Sequence, residues 1–117
     1  MKVLPRGVMS AIEAFPAGVR HIYATRGSIV AKLRCVEFCQ AFGWEMAGGK
    51  ATGPYGTTIE FVAVGCALNG KPIDGVVIVD MPSGNTETGV WVQHVRQIRM
   101  HPNKGRFLFW GHAEAEK

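Results

Sequence analysis

The stretch Ser28-Ile-Val-Ala-Lys-Leu-Arg-Cys-Val-Glu-Phe-Cys-Gln-Ala-Phe42 decides how the whole chain is read. Taken as a helix, it has Ser28 as an N-cap and Gly43 just past its end. Lys32, Arg34, Glu37 and Gln40 would then scatter around the circumference and leave no clean polar face. Taken as a strand, it puts Ile29, Ala31, Leu33 and Cys35 on one face and Lys32 and Arg34 on the other. The alternation favours a strand to about Val36, followed by a turn or short helix through Phe42.

The neighbouring segments follow from that choice. Residues 19–24 and 29–35 flank Thr25-Arg-Gly-Ser28, so they are expected to pair as a hairpin. Upstream, Val8, Met9, Ile12 and Phe15 recur at helical spacing and Pro16 ends the run, which predicts a short helix over 8–15. Downstream, the glycine-rich residues 43–58 read as a long loop, and 57–68 as a strand. Asn69-Gly-Lys-Pro72 is a hairpin signal leading to a strand over 73–81, whose Val76-Val-Ile-Val79 centre should be covered on both faces. After the turn residues 82–89, strands are expected at about 90–100 and 106–111, joined by His101-Pro-Asn-Lys-Gly105. The predicted fold is α+β and mainly antiparallel β, with a short N-terminal helix followed by a five- to six-stranded curved sheet or small barrel.

The chain has 117 residues, 47% of them hydrophobic and 19% charged, so it should form one globular domain over 1–117 with a real core. Its apolar runs are too short for a membrane helix, and Pro5, Arg6 and Glu13 interrupt any secretory signal, so a cytoplasmic location is expected. The cysteine count is odd, and Cys35, Cys39 and Cys66 lie in apolar surroundings, so they are expected to be buried reduced thiols.

The positive charge is modest, at +4, but grouped. Residues 14–36 and 88–113 contain no acidic residue, and they carry Arg20, Arg26, Lys32 and Arg34 in the first span and Arg96, Arg99, Lys104 and Arg106 in the second. Arginines beside aromatic residues can neutralise phosphates while rings stack on bases, so the first functional expectation is a non-enzymatic module. It would bind single-stranded nucleic acid through Arg96, Arg99, Lys104, Arg106, Arg20 and Arg34. Lys104-Gly-Arg-Phe-Leu-Phe-Trp110 approaches an RNA-recognition signature but departs from it at Arg106, so no membership follows. The alternative is a small-ligand-binding protein or small enzyme with a pocket formed by Trp44, Tyr55, Trp91, His94 and Trp110. A third reading is a homo-oligomeric interaction protein.

Other constellations are excluded by their spacing. Aligning Gly49-Lys50 with a phosphate-binding loop puts Trp44 at the required first glycine and Ala51 at the hydroxyl position, so no nucleotide hydrolase is indicated. The cysteines lack paired knuckle spacing, so no metal site or cofactor is expected. His94 with Glu60 or Asp80 offers acid–base groups, and Asp80 closes an apolar strand, a common place for a functional carboxylate, but the spacing matches no catalytic pattern, so no catalytic residue is assigned.

Overall fold

A computed structural model describes residues 5–65, 73, 75–81, 86–98 and 106–109. In chain order these form α1 (Pro5–Glu13), β1 (Arg20–Thr25), α2 (Ser28–Phe42), β2 (Glu45–Ala47), β3 (Lys50–Thr52), a 3-10 turn (Pro54–Gly56), β4 (Thr58–Ala63), β5 (Val76–Asp80), α3 (Thr86–Ile98) and β6 (Arg106–Phe109). The strands make one open sheet in the order β2-β3-β4-β1-β5-β6. β4, β1, β5 and β6 run parallel, while β2, β3 and β4 pair antiparallel. The α+β class therefore holds. The expected mainly antiparallel curved sheet or barrel is replaced by an open mixed sheet with helices on both faces.

The decisive stretch is a helix. Ala31, Cys35, Phe38 and Cys39 are its buried residues, at the i, i+4, i+7, i+8 spacing of one helical stripe. They pack with Val8 and Ile12 of α1 on Tyr23, Ile59, Phe61, Val76 and Ile78 of the sheet. Two features hide this stripe in the sequence. Ile29 and Leu33 stay in water, at 77% and 54% exposure, and Arg34 turns inward to a carboxylate on β5. Gly43 then ends the helix with φ 71°, its N–H donating to the Cys39 carbonyl at 2.8 Å. An alanine there must adopt a left-handed conformation. Gly43→Ala should therefore lower stability by about 1 kcal/mol, read as a shift in the urea midpoint at unchanged slope.

The predicted strand over 90–100 is also helical. Its Val-Trp-Val run is local, whereas Thr88, Trp91, Val92 and Val95, buried residues of α3, keep helical spacing. Trp91, Val92 and Val95 cover Ile22, Ala24, Val77 and Val79 on the sheet face opposite α2. Alternate residues of β1 and β5 thus serve two cores, which is why both strands read as unbroken apolar runs.

Once these two segments are helices, the hairpin connections must change. β1 reaches the parallel β4 through α2 and the β2–β3 hairpin, and β5 reaches β6 through α3. β4 and β5 both lie beside β1 and run the same way, so they cannot form the hairpin expected at Asn69-Gly70, a turn that lies outside the described residues. The expected long loop over 43–58 contains β2, β3 and the 3-10 turn.

Candidate functional site

Parallel strands send all their carboxyl ends to one edge. Here Thr25 of β1 lies level with Ala63 of β4 and Asp80 of β5. From this rim the chain leaves β1 into α2 on one face and β5 into α3 on the other. The two departures diverge between β1 and β5, which makes this edge the switch point of the strand order, the place where open sheets of this kind take ligands.

A buried polar cluster lies beneath the rim on the α2 side. The Tyr23 hydroxyl donates to Asp80 Oδ2 at 2.8 Å, and Arg34 Nε lies 3.7 Å from the same oxygen. Arg34 also meets Glu37 one turn further on, at 3.4 Å. Burial pushes the Tyr23 phenol far above its ordinary pKa, and the Asp80 charge raises it further, so it remains a neutral donor. Burial also works against the Arg34 cation, but Glu37, Tyr23 and Asp80 outweigh it and hold the guanidinium charged. Arg34 Nε is buried and makes no hydrogen bond.

Above the cluster, the Thr25 hydroxyl donates to the Gly27 carbonyl at 2.8 Å and accepts from the Gly27 N–H at 3.3 Å, which fixes the turn into α2. Gly27 caps α2 without a side-chain hydrogen bond, and the first helical turn carries no acid. Ala31 N–H is bonded to the Gly27 carbonyl, so the amides of 28–30 have no acceptor within the helix. Arg26 and Ser28 stand exposed beside them. The rim therefore combines the positive end of a helix dipole, an exposed arginine and hydroxyl, and a guanidinium below.

Whether the basic residues share one face was left open by the sequence, and two of them, Arg20 and Arg34, lie on opposite faces of the sheet. Arg20 alternates with Ile22 and Ala24 on the α3 side and is bound by Glu60 at 2.7 and 3.1 Å. Arg34 lies on the α2 side, tied to Asp80 and Glu37. Arg96 is in α3 and Arg106 begins β6, while Arg99 and Lys104 lie outside the described residues.

The expected aromatic pocket divides as well. Trp44 and Tyr55 line one cleft near α1, but Trp91 is buried across the sheet beneath α3. His94 is exposed on α3, and Trp110 lies outside the described residues. The grouping assumed a sheet curled around its aromatics, and an open sheet instead separates them.

Cys35 and Cys39 are free and buried; burial pushes the Cys35 thiol up to about 12, which makes it a poor nucleophile, while Cys66 lies outside the described residues. Among the described residues no group of three histidine, cysteine or acidic side chains could hold a metal ion, and no helix is long and apolar enough to cross a membrane.

Sequence reasoning singled out Asp80 as a carboxylate closing an apolar strand but missed its partners Tyr23 and Arg34, and it missed Arg26 and Ser28 at the start of α2. The Thr25-Arg-Gly-Ser28 insert was the available signal, once read as a strand-to-helix turn. No family model matches the chain, and neither the curated proteins nor the solved structures contain a significant match.

Proposed function

We propose that the protein is a small-ligand-binding domain that takes an anionic group, phosphate or carboxylate, at the carboxyl edge between β1 and β5. The observation that carries this reading is the Tyr23–Asp80–Arg34 cluster buried at the point where the crossovers part. Buried ionised groups are costly and tend to be kept where they orient something. The uncapped amides of 28–30 and the exposed Arg26 and Ser28 supply the donors an anion needs. Asp80, held by Tyr23, offers an acceptor for a ligand hydroxyl or amine.

Thermal unfolding in rising inorganic phosphate tests the proposal. A ligand that binds only the folded protein raises its stability by about 2.7 kcal/mol at a hundredfold excess over Kd. A saturable rise in Tm is expected in the parent, reduced several-fold in affinity by Arg26→Ala, because one charge-assisted contact contributes on the order of 1–3 kcal/mol. No rise in Tm at tens of millimolar phosphate counts against the reading. A labelled single-stranded oligonucleotide serves as the second arm. Tight, salt-sensitive binding of that probe without a phosphate response would favour the nucleic-acid alternative and the Arg96, Arg99, Lys104, Arg106 group.

A further inference from the structure

A cavity sits at the end of the sheet opposite the carboxyl rim, about 20 Å away along β1 at the usual rise per residue. It is an open cleft of about 360 Å³ where the chain enters β1 and β4, and Glu13, Phe15, Trp44, Tyr55 and Thr57 are among its lining residues. Its volume is enough for a small organic molecule.

Two of its rings are fixed from behind. Trp44 meets the buried Phe38 edge-on at 5.0 Å, and Phe15 meets the buried His21 edge-on at 5.4 Å. The third ring is held in water: Tyr55 is 87% exposed with φ 60° and ψ 25°, a left-handed conformation uncommon outside glycine. Hydrogen bonds brace its turn, from Gly53 N–H to the Thr57 carbonyl at 2.8 Å and from Thr57 N–H to the Pro54 carbonyl at 3.3 Å. Thr57 Oγ1 also accepts from Gly18 N–H at 2.8 Å. The chain thus presents a large aromatic side chain to solvent beside two anchored ones.

The charge of the lining selects among ligands. Among the described residues that line it, Glu13 is the one charged side chain, and none is a lysine or arginine. Aromatic faces are electron-rich and attract cations, and a carboxylate at the mouth adds to that attraction. We infer that this cleft binds a small organic cation, an alkylammonium group whose methyl or methylene surface rests on Phe15, Trp44 and Tyr55 while Glu13 balances its charge. A neutral apolar molecule would satisfy the rings but leave the carboxylate unused, and an anion would be repelled.

Choline and its uncharged carbon isostere, 3,3-dimethylbutan-1-ol, separate these cases because they share a shape and differ in charge. The full chain is titrated with each while the Trp44 indole N–H signal is followed by NMR, with Trp44→Phe used to assign it. Choline should shift that signal saturably, and the isostere should bind at least about tenfold more weakly. Glu13→Gln, a surface change at the end of α1, should weaken choline roughly tenfold while leaving the circular dichroism spectrum unchanged, and Tyr55→Ala should do the same. Equal binding of the two probes, absence of a saturable shift, or a Glu13→Gln protein that binds choline like the parent would each overturn the inference.

Discussion

Gly75→Ala is expected to destabilise the protein by about 4 kcal/mol, from overpacking and the loss of a buried hydrogen bond together. Gly75 is buried at the entry to β5, its N–H bonded to the Arg20 carbonyl at 3.1 Å. A methyl group there would overlap the His21 imidazole and lie 2.7 Å from the Arg20 carbonyl oxygen. Neither neighbour is free to yield. The His21 ring is fully buried, faces Phe15, and accepts the Val76 N–H on Nδ1 at 3.0 Å, while the Arg20 carbonyl belongs to β1. The clash can be relieved only by parting β1 from β5 or breaking the His21–Val76 bond. Against a total stability of roughly 5–15 kcal/mol, that loss is large. Urea unfolding followed by circular dichroism measures it. A change below about 1 kcal/mol would mean that the two strands do not approach this closely.

Acid should weaken the fold through the same histidine. Burial lowers its pKa from 6.5 to about 4, since the folded protein does not solvate an imidazolium there. Nδ1 must stay unprotonated to accept from Val76, so Nε2 carries the proton of the neutral ring, and it has no hydrogen-bond partner. Above pH 6.5 the ring is neutral in both folded and unfolded chains, and its contribution is fully present. As pH falls towards 4 the unfolded chain takes up a proton that the folded one refuses, so stability is lost across that window. The gap corresponds to about 3 kcal/mol. His21→Gln keeps an acceptor for Val76 without a titrating group, so its unfolding free energy should fall much less between pH 7 and pH 4.5. Equal losses in the parent and the variant would assign the acid sensitivity to carboxylates instead.

Neither effect was visible in the linear order of residues, because His21 and Gly75 are 54 positions apart and meet only through the β1–β5 pairing. Four of the strands, β1, β4, β5 and β6, were legible, whereas β2 and β3 were read as loop. Residues 19–24, 57–68, 73–81 and 106–111 each contain or nearly coincide with an observed strand, because their β-branched and aromatic runs are local signals. The short first helix was recognised three residues late at its start, and it ends at Glu13, before Phe15. The two longer helices were not legible. Exposed Ile29 and Leu33 and inward-turned Arg34 flatten the amphipathic pattern of α2, and a Val-Trp-Val step imitates a strand in α3. Each error also changed strand direction. A strand followed by a strand implies a hairpin, whereas a strand followed by a helix permits the parallel crossover.

The candidate site depended on the same point. Asp80 stood out as a carboxylate ending an apolar strand, but its partners Tyr23 and Arg34 were read as strand residues elsewhere. The basic residues were counted along the chain as one potential surface, while the sheet places Arg20 and Arg34 on opposite faces with carboxylate partners. By itself the sequence determined that the chain has an apolar core, the positions of β1, β4, β5 and β6, and the burial of Cys35 and Cys39 as free thiols, because these follow from composition and local periodicity. Only the tertiary structure decided strand direction, the switch point at the carboxyl edge and the pairing of charges. Those depend on contacts between distant residues, whose burial and hydrogen bonding override local pattern.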